Sequence, residues 1–118
     1  MLQTDRCATS RLSEVEVVSA LARRSREGAL GASDRDRLLR TLASDVLSLV
    51  VVEVSEEITR WCYDLLLRHP LRAADAIHLA SALYLQRELK QTVVFVAFDE
   101  RLNRAAHREG LQIVSGRP

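Results

Sequence analysis

Lysine is almost missing from this 118-residue chain. Lys90 is the only one, and arginine supplies the rest of the 17 basic residues, which nearly cancel against 16 acidic ones. A formal net charge of +1 excludes a protein that gathers nucleic acid by its overall field, so any phosphate contact has to be local. Cysteine is scarce too. Cys7 and Cys62 stand far apart, with neither the short spacing of a zinc pair nor the number needed for a disulfide framework, so reduced, partly buried thiols are expected. No apolar run approaches the roughly 18 residues of a membrane span. The opening MLQTDRCATSR lacks the charged-then-apolar layout of a signal peptide, and the cytoplasm is the expected location. There is no internal repeat, low-complexity tract or linker. With 47% apolar and 28% charged residues, residues 1–118 are expected to form one compact domain.

What is present is an alternation of short strands and helices. Arg6 to Thr9 reads as a strand. A helix is expected over Leu12 to Glu27, with Ser13 and Glu16 spaced as a capping box and Leu12, Val15, Val18, Leu21 and Ala22 as its apolar stripe. Gly28 and Gly31 would stop it. Ser33 and Asp36 look like a second capping box, opening a helix to about Asp45 with Leu38, Leu39 and Leu42 inward. Leu47 to Val54 is a nearly continuous apolar run, as in a strand covered on both faces. Ser55 should cap a third helix, with Ile58, Cys62, Leu65 and Leu66 on one face, ending near Pro70 because the residue before proline disfavours the α region. A helix over Ala73 to Glu88, a strand over Thr92 to Phe98, a helix over Arg101 to Glu109 stopped by Gly110, and a strand over Leu111 to Val114 complete the pattern. Strands separated by helices imply parallel crossovers and an α/β sandwich.

Two carboxylates stand out in this frame. Asp75 falls in the first turn of its helix, and Asp99 at the carboxyl end of a strand where the next helix begins. In an open parallel sheet such positions converge on the crevice outside the carboxyl ends of the strands. Acidic side chains gathered there repel unless a cation neutralises them, so an acidic, metal-binding pocket is expected. Local roles are equally concrete: Glu16 as a capping-box acid, Asp75 facing the helix dipole, Asp99 as an N-cap. Those roles are compatible with metal binding. His78, three residues after Asp75, shares its side of the helix, as a packing residue or a partner of the acid. Trp61, Tyr63 and Tyr84 read as core or interface aromatics. The arginine clusters at positions 23–26, 35–40 and 101–108 read as solvated helix faces or local phosphate contacts. An acidic-pocket signalling receiver is disfavoured, since no lysine follows on a late strand.

The stretch LRAADAIHLASAL followed by VVFVAFDERLNRAA resembles the second half of a PIN domain of the VapC toxin family, and ATSRLSEVEVVSALARR resembles that family's second acidic motif. The resemblance covers about residues 6 to 114. It implies a three-layer α/β/α sandwich with a mostly parallel sheet, and a metal-dependent endoribonuclease acting on RNA. It further implies a toxin held silent by a VapB-type antitoxin, and a homodimer. The family's acidic positions fall on Glu16, Asp75 and Asp99. Asp75 and Asp99 would bind Mg²⁺ or Mn²⁺ directly, and Glu16 would bind it or orient metal-bound water. Arg101 and Arg104 would lie nearest an RNA phosphate, and the apolar faces of the first two helices would receive an antitoxin segment. The sequence departs from the family at its start. Members normally open with an apolar strand ending in aspartate and then a helix, so the chain reads as N-terminally truncated by about one βα unit. The alternative reading is an impaired remnant that only binds antitoxin or a sister toxin. Ala97 also stands where the family often carries a hydroxyl residue.

Overall fold

The computed structural model describes residues 6–114. The chain divides in sequence between Val52 and Glu53 into two compact units. The first holds β1 (Ala8–Ser10), α1 (Arg11–Arg26), α2 (Ala32–Val46) and β2 (Val50–Val52). β1 lies parallel to β2, with Ala8 opposite Val50 and Ser10 opposite Val52, and the two helices make the crossover that parallel pairing requires.

Helix α1 starts one residue earlier than its apolar pattern suggests. The capping box assigned to Ser13 and Glu16 is not formed: the N-cap is Ser10, whose hydroxyl accepts from the Leu12 N–H at 3.1 Å. Ser13 instead accepts from the Thr9 hydroxyl at 2.6 Å. At the other end Gly28 (φ +80°) donates to Ser25 O, and Ala29 to Arg24 O. This paired pattern needs the left-handed residue that glycine supplies. Gly31 opens α2 rather than closing α1. It is the N-cap, which puts Ser33 inside the helix and corrects the second capping box. Asp36 pairs with Arg35 at 3.0 Å and Asp34 with Arg37 at 2.9 Å, so this arginine cluster is a solvated face.

Burial in this unit is thinner than the pattern implies. No described residue of α1 or α2 is buried, and Val15 is 62% exposed. The expected strand from Leu47 to Val54 shrinks to Val50–Val52. Leu47, Ser48 and Leu49 donate to carbonyls three residues back, which keeps them in turns, and β1 offers only three residues to pair with. Leu47 and Val54 are exposed, so the run is not covered on both faces.

The second unit holds α3 (Glu56–Arg68), α4 (Ala73–Leu89), β3 (Val94–Phe95), α5 (Glu100–Arg108) and β4 (Gln112–Ile113). Ser55 caps α3 as expected, accepting from the Ile58 N–H at 3.2 Å. Ile58, Cys62 and Leu65 are the buried residues of α3 and Ala76, Leu79, Ala80 and Ser81 those of α4. The i, i+4, i+7 spacing on α3 gives one continuous apolar stripe, and the alanines of α4 let the helix axes approach. Burial pushes the Cys62 thiol above its ordinary value. Trp61 and Tyr84 meet edge to face at 6.1 Å, and the Arg87 guanidinium lies 4.7 Å from the Trp61 ring centre, so these aromatics are structural.

β3 and β4 are parallel, with Val94 opposite Gln112 and Phe95 opposite Ile113, and α5 crosses between them. The expected strand over Thr92 to Phe98 is two residues long because its partner is no longer than that. Beyond it Val96 and Phe98 are exposed. Helix α5 ends as Gly110 (φ +100°) donates to His107 O and Leu111 to Ala106 O. Leu111 and Ala106 are both buried, the apolar contact that accompanies this cap. All described strand pairing is parallel and bridged by helices, which is the α/β class read from the sequence.

Candidate active site at the amino ends of α4 and α5

The second unit positions two carboxylates by ordinary helix-capping physics. After Pro70, Arg72 takes extended backbone angles and becomes the N-cap of α4. Asp75, half-buried in the first turn, reaches back so that its Oδ2 accepts from the Arg72 N–H at 3.4 Å. This is the acid half of a capping box. The reciprocal half is absent, since a guanidinium has no acceptor to offer.

Asp99 is the N-cap of α5. One of its oxygens, Oδ1, accepts from the Arg101 N–H at 2.8 Å and the Leu102 N–H at 3.2 Å. Its Oδ2 accepts no hydrogen bond among the described residues, and the side chain is exposed. The carboxyl is held below its usual range. The Leu102 N–H contributes most, desolvation opposes it, and the Arg101 N–H and the charges of Arg101 and Arg72 add to the lowering. Arg72 is thus linked to both acids: its backbone N–H binds Asp75 and its charge helps to lower Asp99.

The segment leading into Asp99 is tied down by Asn103, whose Nδ2 donates to Ala97 O at 3.0 Å while its backbone N–H donates to Asp99 O at 3.0 Å. The Asn103 Oδ1 is buried without a partner. Turning the amide over would set that oxygen against the Ala97 carbonyl, so the observed orientation is the better one. Neither Arg72 nor Asn103 was singled out from the sequence. The LRAAD spacing and the asparagine one turn past Asp99 were the available signals.

Of the expected site residues, Asp75 lies in the first turn of α4, and Asp99 and Arg101 at the start of α5, all in this unit. Arg104 is on the same helix but approaches Glu100 at 3.9 Å. Glu16 is exposed on α1, in the first unit, and its anticipated capping role is replaced by that of Ser10. Among the described residues no three His, Cys, Asp or Glu side chains gather as a ready-made cation cage. The donor chemistry nonetheless suits a hard cation: carboxylate oxygens, one of them left over from capping on Asp99. Mg²⁺ is commonly held by one or two carboxylates, with water and substrate phosphate completing the shell. His78 is half-buried on the α4 turn after Asp75.

Comparison with known proteins supplies the class. The PIN domain family profile matches residues 1–108, and the chain belongs to that family, with the PIN-like α/β fold its helices and short parallel strands display. It is similar to two proteins of Mycobacterium tuberculosis. They are Ribonuclease VapC45 of strain CDC 1551 / Oshkosh and Ribonuclease VapC49 of strain ATCC 25618 / H37Rv, each 32% identical over 109 residues. The match covers 92% of this chain and 74% of each relative. No described helix is long and apolar enough to cross a membrane.

Proposed function

We propose that this chain is a divalent-metal-dependent endoribonuclease, the toxin of a VapBC-type pair, acting as a single cytoplasmic PIN domain. The observation that carries the reading is the pair Asp75 and Asp99 at neighbouring helix starts beside Arg72, in a chain of this family. Hydrolysis of a phosphodiester needs a deprotonated water, neutralised phosphate charge and a stabilised leaving oxygen. Bound Mg²⁺ or Mn²⁺ would supply that chemistry, and in the second unit Asp75 and Asp99 would hold it. The chain's own work is to fix the two carboxylates. Asp99 is locked by two backbone donors through one oxygen, which leaves the other for a cation. Asp75 is turned toward the helix start by the Arg72 N–H. The depressed Asp99 acid stays ionised well below neutral pH, as a ligand must. Arg101, and Arg104 where Glu100 releases it, contact RNA phosphates.

The VapB-type antitoxin would lie on the first unit. The groove between α1 and α2 is lined by Val17, Leu42, Val46, Leu49 and Val51, with Arg11, Ser13 and Glu14 also on its wall, and with no buried residue on either helix this face suits an amphipathic segment of a partner. A homodimer is part of the same proposal. The alternative is a catalytically impaired module that binds only antitoxin or a sister toxin.

Cleavage of RNA by the purified chain in Mg²⁺, in Mn²⁺ and in chelator, beside Asp75→Asn, separates the two. Metal-dependent cleavage lost in the variant supports the nuclease. A folded chain that binds Mn²⁺ weakly and cleaves nothing supports the binding module.

A further inference from the structure

Most arginines of the second unit already have an acid. Arg60 pairs with Glu56, Arg68 with Glu109, Arg87 with Glu57 and Glu88, and Arg104 approaches Glu100. Arg72 differs. Its side chain is exposed, and among the described residues its guanidinium makes no hydrogen bond or ion pair. Its backbone N–H lies 3.4 Å from the Asp75 Oδ2, and its charge helps to hold the Asp99 carboxyl low. The reason is local. As an N-cap with φ −82° and ψ 164°, Arg72 is outside the helical grid, so the i, i+3 relation that would bring its side chain onto Asp75 does not hold. Its backbone N–H is the group that reaches that acid.

We infer that the Arg72 guanidinium is the phosphate-binding cation of this site, holding a non-bridging oxygen of the scissile phosphodiester of single-stranded RNA against Asp75 and Asp99. This rests on the nuclease reading and extends it to a residue that motif did not supply. Charge balance favours it. Two carboxylates and one divalent cation sum to zero, which offers nothing to a phosphodiester monoanion and less to the further negative charge that develops as water attacks. Arg72, added to the Arg101 already placed beside Asp99, gives a positive surplus where that charge appears. A planar fork of donors also matches two phosphate oxygens at once. The free side chain requires no broken ion pair to do so, unlike that of Arg104.

The residue's two roles separate cleanly, because any non-proline residue supplies the N–H to Asp75. Arg72→Gln should therefore keep the wild-type Tm. Its KM for a single-stranded RNA should rise by about tenfold to a hundredfold, the loss of a charge-assisted phosphate contact, with a smaller fall in kcat. On an Asp75→Asn background, where cleavage does not compete, adding Arg72→Gln should weaken RNA binding. It should also lower the slope of log Kd against log salt by roughly one phosphate's worth. Arg72→Lys should recover part of both, and Arg60→Gln, whose arginine is paired on α3, should change neither. An active wild type whose KM and salt slope are untouched by Arg72→Gln overturns the assignment alone. A Tm loss in Arg72→Gln without a change in salt slope does the same, by making the residue structural. A folded wild type that neither binds nor cleaves RNA overturns the nuclease reading and the assignment together.

Discussion

Glu109 should be the acid on which the stability of the second unit depends most. It closes α5 as C-cap, a position where a carboxylate faces the negative end of the helix dipole, and three interactions offset that. The His69 Nε2 lies 2.6 Å from Glu109 Oε2, and the Arg68 guanidinium donates to the carboxylate through Nε at 3.1 Å and Nη2 at 3.0 Å. Burial pushes the Glu109 carboxyl up, but the His69 and Arg68 hydrogen bonds and charges outweigh it and hold the carboxyl below its usual range. An ionised carboxylate only accepts, so Nε2 is the protonated ring nitrogen. The His69 side chain is 6% exposed and that of Glu109 17%, so Glu109→Ala strands a buried ring N–H. That costs about 1–3 kcal/mol. The half-exposed Arg68 pair adds no more than ~1 kcal/mol. A total near ~2–3 kcal/mol lowers Tm by roughly 8–12 °C in a chain of this size. Glu109→Gln retains an acceptor for Nε2 and should lose about half as much.

The pH dependence follows from the direction of the shift. A carboxyl whose folded pKa lies below its unfolded value stabilises fully above the usual glutamate value of 4.5, and that contribution is lost as pH falls through the lower folded value. The Tm gap between wild type and Glu109→Ala, followed by circular dichroism, should be widest at neutral pH and shrink on acidification below about pH 4. A gap under ~2 °C at pH 7, or one that widens toward acid, would refute this account of the His69–Glu109–Arg68 cluster.

Asp99 carries a cap and, by proposal, a metal contact, and two substitutions divide these. Asparagine caps helices about as well as aspartate, so Asp99→Asn should keep the wild-type Tm while abolishing cleavage and weakening Mn²⁺ binding measured by calorimetry. Asp99→Ala should lose Tm as well. Ser55→Ala removes the acceptor for the Ile58 N–H and should cost about 1 kcal/mol, read as a lower urea midpoint with an unchanged m-value. Leu79, with no exposed surface on α4, should cost about 3–4 kcal/mol when cut to alanine. A loss below ~1 kcal/mol in the same urea titration would mean that the α3–α4 contact repacks.

The parts of the fold legible in the sequence are those decided within one or two turns of chain. Ser55 with Ile58, Cys62 and Leu65 announces a capped, one-faced helix. Gly110 after a basic turn announces a helix end. Asp75 and Asp99 are recognisable because their capping chemistry is local, whereas Glu16 rests on resemblance alone. What failed was decided elsewhere. Ser10 and Ser13 are both plausible caps, and the Thr9 hydroxyl settles between them by occupying Ser13. Strand lengths at Leu47–Val54 and Thr92–Phe98 depend on how many residues the partner strand offers, which neither segment encodes. The His69–Glu109 pair joins residues 40 positions apart, beyond any periodicity.

The arginines sharpen that distinction, because one local rule separates those with a helical partner acid from those, such as Arg72 and Arg101, without one. Arg104 looks like an RNA contact from its nearness to Asp99, but Glu100 sits four residues before it, the favoured order for a helical ion pair, and the structure forms that approach at 3.9 Å. Arg60 has Glu56 in the same relation, and they pair. Arg72 lacks such an acid four residues earlier, where Arg68 stands instead, and its non-helical backbone keeps Asp75 from serving. A cation that no helical neighbour neutralises, placed where two acids already bind through backbone donors, is available to an anion from outside. In a protein whose net charge draws no nucleic acid to it, such a local surplus is where affinity for a phosphodiester must originate.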